Sequence, residues 1–401
     1  MRYWIVTELF YPEEVSTGYV MTKIAEELSS TVSVGVICGP SGYQSKVLKA
    51  NYKLNPEILV KRVSVPSFDK NKIAFRAIGF LILTFGFFFK ILFNVGRKDK
   101  LILVTNPPTL LPVMGFLKWI KGFDYTIIVH DVFTENAVAG GLLKKDSRVY
   151  KVLLTIINWS YQKADNLIVV GRDMRALFEK KNIKNKPINV ITNWADHETV
   201  YPFAQIDLNK YYALDLGKNI IIQFAGNIGR VQGLDLFFKT IENVQNDGLS
   251  IIFIGSGAQK DFLVKMRESM RFKKIHFIPP KSRNDQQQFL NACHIGLITL
   301  SPGMFGLGVP SKVYNILAAG KPILYIGDKN SEIYQYVIDF EVGWAFTWEE
   351  QTELNQFLTR LDHSMMEEIQ FKGNNARKLV ENKFTKDFIL KEYNEVIIHG
   401  K

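Results

Sequence analysis

Residues 219–234, NIIIQFAGNIGRVQGL, give the clearest indication of the fold class of this 401-residue chain. The β-branched run Asn219–Phe224 predicts a strand, and the pattern from Leu234 onward predicts a helix. Three glycines and Arg230 lie in the loop between them. Segments that run from strand through loop to helix are the repeating unit of parallel α/β proteins. The sequence therefore predicts an α/β fold.

The same alternation occurs in two successive series along the chain. Each series predicts a doubly wound parallel sheet, so we expect two Rossmann-like domains that face each other across a cleft. The first series has strands near Tyr3–Thr7, Val32–Ile37, Leu101–Thr105, Tyr125–Val129, Asn166–Val170 and Asn189–Ile191. The second has strands near Asn219–Phe224, Ser250–Ile254, Ile275–Phe277, Ile295–Thr299, Pro322–Tyr325 and Gly343–Phe346.

A polar stretch, Asn193–Pro202, marks the predicted domain boundary. We expect a first domain at residues 1–200 and a second at 201–383, each long enough for a core of its own. The apolar residues of Phe384–Ile398 have helical spacing. The C-terminal helix, residues 384–401, is therefore predicted to pack back on the first domain.

Composition favours a cytoplasmic protein with an affinity for anionic surfaces. Cys38 and Cys293 have neither disulfide nor metal-ligand spacing, and the N-terminal run resembles a strand rather than a signal peptide. Most of the net charge of +11 lies in residues 1–200, which hold 27 Lys+Arg against 17 Asp+Glu. Anionic lipid and nucleic acid both attract such a surface.

The uncharged run Ala77–Phe89 bears on the choice between anionic lipid and nucleic acid as the partner. It lies between Arg76 and Lys90 and is rich in Phe, Leu and Ile. It is shorter than the roughly 20 apolar residues that a spanning helix needs. Two interpretations remain: a core helix of the first domain, or a helix that lies in the plane of a membrane surface.

In parallel α/β sheets ligands bind beyond the carboxyl ends of the strands. Gly18, after the first strand, would let backbone amides approach an anion at a helix start, although a turn without a ligand also explains it. His130, Asp131 and Glu135 follow the strand Tyr125–Val129. His130 is a candidate to hydrogen-bond a sugar hydroxyl or a developing charge, and either carboxylate to orient it or hold the acceptor. The alternative is that these polar residues only satisfy loop backbone.

The second half offers phosphate-binding turns. Gly226, Asn227 and Gly229 precede Arg230, whose planar guanidinium suits a diphosphate leaving group, although the spacing is neither the dinucleotide fingerprint nor a P-loop. Further predicted donor contacts come from the turn at Gly255 and Gly257 and from the strand end at Ile278 and Pro279. Main-chain groups of Ile278 are candidates to read a uracil-like edge; a plain turn is the alternative.

The run Ser301–Lys312 carries the strongest prediction of a site. Its flexible part includes Gly303, and Ser311 and Lys312 would present a hydroxyl, amides and an ammonium to one anion from the first turn of a helix. A surface lysine after a capping serine explains the dipeptide alone, but not its place opposite Arg230. We expect Arg230 and Lys312 to converge on a single pyrophosphate.

In this order, and nearly end to end, these segments resemble the retaining family 4 glycosyltransferases of GT-B fold. The narrower resemblance is to the branch that contains N-acetylfucosamine transferases of bacterial O-antigen assembly. The most specific segments are Phe10-Tyr11-Pro12-Glu13, His130-Asp131 with Glu135, Asn193-Trp194-Ala195-Asp196, Ala225–Arg230 with Gln232-Gly233-Leu234, and Pro310-Ser311-Lys312 leading to Ala318–Pro322.

The resemblance implies a nucleotide-diphosphate sugar held by the second domain, and retention of configuration without a metal or other cofactor. It implies an acceptor held by the first domain, with Glu13, Asp131 and Glu135 as candidate contacts. His130 would contact the donor sugar, and the pair of cations named above would stabilise the departing diphosphate.

Two positions depart from the wider family. Gln232 stands where most members have a lysine, and Asn315 where they have a glutamate. The first makes the identity of the phosphate-binding cation the question to settle. The second means that ribose or sugar recognition would use either Asn315, as an amide, or another residue entirely. Both are compatible with the narrower branch.

The resulting hypothesis is a transferase that moves a hexose or N-acetylhexosamine from a UDP carrier to a polyprenyl-diphosphate-linked saccharide in O-antigen or capsule biosynthesis. Such an enzyme would be peripheral on the inner face of the plasma membrane, with an anionic membrane surface but no nucleic acid as partner. A UDP-sugar epimerase of similar fold is the rival enzyme. A noncatalytic sugar- or nucleic-acid-binding protein is suggested by charge alone.

Overall fold

The computed structural model describes residues 1–13, 16–41, 52–66, 73–181, 183, 186–203 and 206–400. The side chains of residues 16 and 73–77, which include Ala77 and the flanking Arg76, lie outside the described part. The chain forms two compact units. The N-terminal unit comprises Met1–Glu135, Leu143–Ile191 and Leu390–Lys401, and the C-terminal unit comprises Asn136–Leu142 and Thr192–Ile389.

Within the described residues, the N-terminal unit contains a seven-stranded parallel sheet in the order β3-β2-β1-β4-β5-β6-β7. The inner strands are apolar on both faces and almost wholly buried, as expected when helices cover both sides of a parallel sheet. The strands are β1 (Tyr3–Thr7), β2 (Val34–Cys38), β3 (Leu59–Arg62), β4 (Lys100–Val104), β5 (Asp124–Val129), β6 (Asn166–Val169) and β7 (Ile188–Val190).

Helices connect these strands. They are α1 (Ser16–Ser29), α2 (Ile73–Asn94), α3 (Leu110–Lys121), α4 (Phe133–Ala139), α5 (Arg148–Lys163) and α6 (Arg172–Lys180). At the end of the chain, α15 (Lys386–Asn394) continues into a π-helical turn, Glu395–His399. Asn394 donates a hydrogen bond to the hydroxyl of Thr31 at 3.0 Å, within the N-terminal unit.

The C-terminal unit has a six-stranded parallel sheet, counted over its described residues, in the order β10-β9-β8-β11-β12-β13. Its strands are β8 (Ile220–Ala225), β9 (Leu249–Ile254), β10 (Ile275–Ile278), β11 (Ile295–Thr299), β12 (Ile323–Ile326) and β13 (Gly343–Phe346). Its helices are α7 (Leu208–Tyr212), α8 (Leu234–Ile241), α9 (Lys260–Ser269), α10 (Gln286–Asn291), α11 (Lys312–Ala318), α12 (Glu332–Phe340), α13 (Gln351–Arg360) and α14 (Met366–Lys383).

Both sheets reverse their strand order once, and the reversals position the candidate site. In the N-terminal unit the reversal lies between β1 and β4, and in the C-terminal unit between β8 and β11. Ligands of doubly wound sheets bind at such switch points, beyond the carboxyl ends of the strands. The loops that follow β8 and β11 contain Arg230 and the run Ser301–Lys312.

The structure confirms the predicted fold class of two doubly wound α/β units. One strand, β3, was missed, because its sequence LVKR is short, half exposed and lies at the sheet edge, where burial imposes no apolar pattern. The run Ala77–Phe89 belongs to the longer helix α2. No helix in the described part of the chain is long and apolar enough to cross a membrane.

Candidate active site

Main-chain hydrogen bonds hold the ends of β8, β9 and β10 together. The amide of Gly226 donates to the carbonyl of Ile254 at 2.9 Å, and the amide of Gly255 donates to the carbonyl of Ile278 at 3.1 Å. Gly255 has a φ of 152°, and a Cβ there would lie 2.0 Å from the carbonyl oxygen of Gly226. The predicted turns therefore meet at one sheet edge, next to the exposed Pro279.

The side chain of Asn227 lies between Gly229 and Gly257, the other two glycines that the sequence predicts in these turns. Its side-chain nitrogen is 2.8 Å from the position of a Cβ at Gly229, and its side-chain oxygen is 2.6 Å from the position of a Cβ at Gly257. The amide of Ile228 donates to the carbonyl of Ser256 at 2.9 Å. The loop after β8 is thus packed on the loop after β9, and a larger residue at either glycine would displace Asn227.

Arg230 begins a 3₁₀ turn, Arg230–Gln232, and its side chain is exposed. Its carbonyl accepts a hydrogen bond from the hydroxyl of Ser301 at 3.1 Å, and the amide of Ser301 donates to the carbonyl of Val231 at 3.0 Å. The loop after β11 is therefore joined to the turn that carries Arg230. Sequence reasoning did not select Ser301 for this role; its place just after a buried strand was the available signal.

Lys312 reaches the start of the same loop. Its ammonium nitrogen lies 3.3 Å from the centroid of the Phe224 ring and 3.7 Å from the position of a Cβ at Gly226. The nitrogen is shielded from solvent and has no hydrogen-bond acceptor among the described residues. Burial lowers the pKa of Lys312 to about 7. A partly protonated amine is thus held at the start of the loop that leads to Arg230, without a counter-charge in the described part of the chain.

The residues around Lys312 fit the predicted turn only in part. Lys312 is the first residue of α11 and Ser311, which is exposed, precedes it. The side chain of Ser311 makes no capping hydrogen bond to α11, so helix capping does not account for this serine, and its contact with an anion stays a prediction. Gly303 has a φ of 84° and open space where a Cβ would lie, consistent with an exposed turn.

Asn315 is held in a polar cluster within the C-terminal unit. Its side-chain oxygen accepts from the amide of Asp196 at 2.8 Å, and its nitrogen donates to the Asp196 carboxylate and to Gln286, both at 3.3 Å. Asp196 also pairs with Arg283 at 2.5 Å. The amide of Asn315 therefore anchors the segment at Asp196, and a contact with the donor stays a prediction.

In the N-terminal unit, His130 follows β5 as predicted. Its Nε2 atom is shielded from solvent and has no hydrogen-bond partner within the part of the chain that is described. Burial lowers the pKa of His130 to about 4, so the ring is neutral near pH 7. A neutral imidazole can donate a hydrogen bond to a sugar hydroxyl, or accept one from it, without adding charge.

The two carboxylates after His130 differ in their surroundings. The amide of Asp131 donates to the hydroxyl of Thr105 at 3.4 Å, which joins the ends of β4 and β5. The carboxylate of Glu135 forms an ion pair with Lys181, a residue that sequence reasoning did not connect with the site. The negative charge of Glu135 is therefore partly compensated by Lys181 in the free protein.

Gly18 lies inside the first turn of α1, in contact with the predicted acceptor residue Glu13. A Cβ at Gly18 would lie 2.7 Å from the carbonyl oxygen of Glu13, and Glu13 itself is buried. The carbonyl of Gly18 accepts from the hydroxyl of Thr22 at 2.7 Å. Close packing against Glu13 favours glycine at this position, and the approach of an anion to Gly18 stays a prediction.

Comparison with known proteins identifies glycosyltransferases as relatives of this chain. The sequence profile of the family described as Glycosyl transferases group 1 matches residues 210–378. The chain is 32% identical over 345 residues to the probable glycosyltransferase WbjE of Pseudomonas aeruginosa, covering 86% of this chain and 85% of that protein. It is 24% identical over 243 residues to the putative colanic acid biosynthesis glycosyl transferase WcaI of Escherichia coli K12, covering 60% of each.

A solved structure shares the whole fold. The Anabaena protein HepE in complex with UDP superposes with a TM-score of 0.70 at 14% identity, over 99% of each chain. Taken with the family match, this likeness confirms the predicted GT-B fold class. The narrower branch of N-acetylfucosamine transferases is not established by these relatives.

Proposed function

The chain belongs to the group 1 glycosyltransferases, and on this basis we propose that it moves a hexosyl or N-acetylhexosaminyl group from a UDP carrier onto a polyprenyl-diphosphate-linked saccharide. The reaction retains the configuration at the anomeric carbon and requires no metal. It takes place on the inner face of the plasma membrane, during assembly of a surface polysaccharide such as O-antigen or capsule.

One observation carries the proposal: the ammonium of Lys312 is buried, has no hydrogen-bond partner among the described residues, and lies at the start of the loop that leads to Arg230. A bare cation in an apolar site is costly unless an anion joins it. Gly226, in the loop between them, is exposed, so its backbone is accessible to an approaching pyrophosphate. Cations placed before the reaction stabilise the charge that develops on the leaving diphosphate, and such electrostatic stabilisation usually accounts for more of the rate enhancement than any other effect.

The relatives support the choice of donor and pathway. HepE has been solved with UDP and, in a further structure, with UDP-glucose. WcaI is named for colanic acid biosynthesis, a polysaccharide pathway. The candidate acceptor residues Glu13, Asp131 and Glu135 lie in the N-terminal unit, where we propose that the saccharide end of the lipid-linked acceptor binds. The neutral His130 would hydrogen-bond the transferred sugar.

Turnover of UDP-sugars by cation variants tests this function. Arg230→Ala and Lys312→Ala should each lower transfer or hydrolysis at least tenfold, about 1.4 kcal/mol of barrier. Lys239→Ala is the matched control, because Lys239 is exposed in the last turn of α8, at the end of that helix away from the loop after β8. Equal rates in all three variants and the native protein would refute the proposed mechanism.

Metal independence has its own test. If Arg230 and Lys312 carry the compensating charge, EDTA should leave the turnover of the native protein unchanged. Loss of activity with EDTA, restored by Mg²⁺, would contradict this part of the proposal.

A further inference from the structure

The N-terminal unit exposes an unusual number of large apolar side chains on three neighbouring helices. On α2 they recur four residues apart as Leu81, Phe85, Phe89 and Phe93, with Phe93 78% exposed. On α3, Trp119 is 79% exposed. We call the outward sides of α2, α3 and α5 the apolar face. Exposed apolar surface of this extent marks a site of interaction.

The rings of α2 and α3 form one continuous row. Phe93 stacks on Phe89 with ring centroids 6.4 Å apart, and Phe89 meets Phe88 edge-on at 5.2 Å. Phe88 stacks on Phe116 of α3 at 6.4 Å, and Phe116 is 6.1 Å from Trp119. The row therefore crosses from one helix to the next without a polar interruption.

Helix α5 extends the apolar face. Its exposed residues Val149, Val152, Leu153 and Ile156 recur at helical spacing on one side. A Cβ at Gly115 of α3 would lie 2.6 Å from the ring of Trp159, so glycine at that position lets the indole lie against α3. The outward sides of α3 and α5 are thus joined.

The core does not require these residues. The inward side of α2 is already formed by the buried Leu83, Phe87 and Ile91, and α5 buries Tyr150 and Ile157. The interpretation of the run Ala77–Phe89 as a core helix therefore describes the inward side of α2. The interpretation as a membrane-surface helix concerns its outward side. The outward side lacks a partner within the described part of the N-terminal unit.

The charges of the three helices select the kind of partner. Helices α2 and α3 contain two basic residues each and α5 contains three, whereas none of the three contains Asp or Glu. Arg148, Lys151 and Lys163 of α5 are exposed. Aromatic and apolar residues on helices whose own charged residues are all Lys or Arg suit the interface of an anionic bilayer. Lys118 is paired with Asp165, just after α5, and within the described residues the exposed basic residues of α5 form no ion pair with Asp165. Two copies of this face would instead bring like charges together.

We propose that the apolar face is a bilayer-docking surface, with α2 lying in the plane of an anionic membrane and Phe85, Phe89, Phe93 and Trp119 inserted among the lipids. The proposal rests on the proposed function in one respect, because a lipid-linked acceptor gives the enzyme a reason to dock. Docking itself needs neither donor nor acceptor, and can be measured without them.

Vesicle co-sedimentation of the full chain tests the proposal. The protein should bind phosphatidylcholine vesicles that contain phosphatidylglycerol, and bind pure phosphatidylcholine more weakly. The triple variant Phe85→Gln, Phe89→Gln, Phe93→Gln should lose at least tenfold in vesicle affinity. The matched control is Phe262→Gln with Phe371→Gln, since these rings are 55% and 54% exposed on helices of the C-terminal unit; its affinity should equal that of the native protein.

Circular dichroism and UDP-sugar hydrolysis without acceptor should be the same in the triple variant and the native protein. Equal vesicle binding by the triple variant and the control would overturn the proposal, and so would a native dimer that the triple variant abolishes while no form binds vesicles. Persistent hydrolysis without vesicle binding would leave the proposed function intact and refute docking. Vesicle binding without any turnover of UDP-sugars would support docking and count against the function.

Discussion

At the scale of single residues, Lys312 combines two properties that rarely occur together. Its ammonium is shielded from solvent against the ring of Phe224 and has no acceptor in the described part of the chain. Burial lowers its pKa to about 7, so the free protein holds it partly neutral near physiological pH. A bound diphosphate would favour the charged form. Donor binding and protonation of Lys312 are then linked.

This linkage predicts that UDP binding depends on pH. Above about pH 7 Lys312 of the free protein is increasingly neutral, so UDP affinity should fall by up to about tenfold per pH unit until the pKa of the bound state is reached. Near pH 8 binding should take up close to one proton. Isothermal titration calorimetry in two buffers of different ionisation enthalpy measures that uptake.

Lys312→Arg is the control, because a guanidinium stays protonated over this range. Its UDP binding should take up no proton above pH 7, whereas the ionisation of UDP itself, near about pH 6, affects both proteins alike. The same proton uptake in the variant and the native protein would exclude Lys312 as the linked group.

At the scale of elements, the candidate site depends on how closely the ends of β8 and β9 approach. The sequence predicted glycine-rich turns after both strands but not their mutual contact, because the short distance between Gly226 and Gly255 arises from the pairing of the strands. Gly255 adopts a φ of 152°, where a side chain is strained and would also strike the neighbouring backbone.

Gly255→Ala should therefore lower the free energy of unfolding by about 3 kcal/mol, from backbone strain and overpacking together, and also weaken UDP binding. Urea unfolding measures the first effect. Gly217→Ala serves as the control: its φ is 55°, but no heavy atom lies within 4 Å of the Cβ position, so it should cost about 1 kcal/mol. Equal costs for the two variants would mean that the contact with Gly226 is unimportant.

The elements also show what a single sequence can and cannot reveal. Buried strands are recognisable from apolar runs such as Ile220–Phe224, whereas β3 is half exposed and gives no such signal. The loops after β8 and β11 that lead to Arg230 and Lys312 were predictable from residue type and position. The ion pair of Glu135 with Lys181 and the anchoring of Asn315 by Asp196 were not, because they join residues distant in sequence.

At the scale of the whole molecule, the net positive charge and the exposed large apolar side chains are concentrated in the same half of the chain. Residues 1–200 hold 27 Lys+Arg against 17 Asp+Glu, and they contain all three helices of the apolar face. The turns that we propose bind phosphate belong to the other half. We infer that the N-terminal unit binds the membrane and the acceptor, and that the C-terminal unit binds the nucleotide.

Electrostatic attraction of this kind is screened by salt. Vesicle affinity should therefore fall when the ionic strength is raised from about 0.1 M to about 0.5 M, while UDP affinity changes less because Lys312 is buried. Co-sedimentation and calorimetry at both salt concentrations measure the two effects. Vesicle binding that does not respond to salt would contradict a role for the basic residues of α2, α3 and α5.

Catalysis as proposed depends on Arg230 and Lys312 acting on one pyrophosphate. The decisive measurement is the calorimetric affinity of UDP and of uridine for the native protein, Arg230→Ala, Lys312→Met and the double variant. Each single variant should bind UDP at least tenfold more weakly yet bind uridine as the native protein does, and the two losses should not be additive. Native UDP affinity in either single variant, or equal losses for UDP and uridine, would show that the two cations do not share a pyrophosphate.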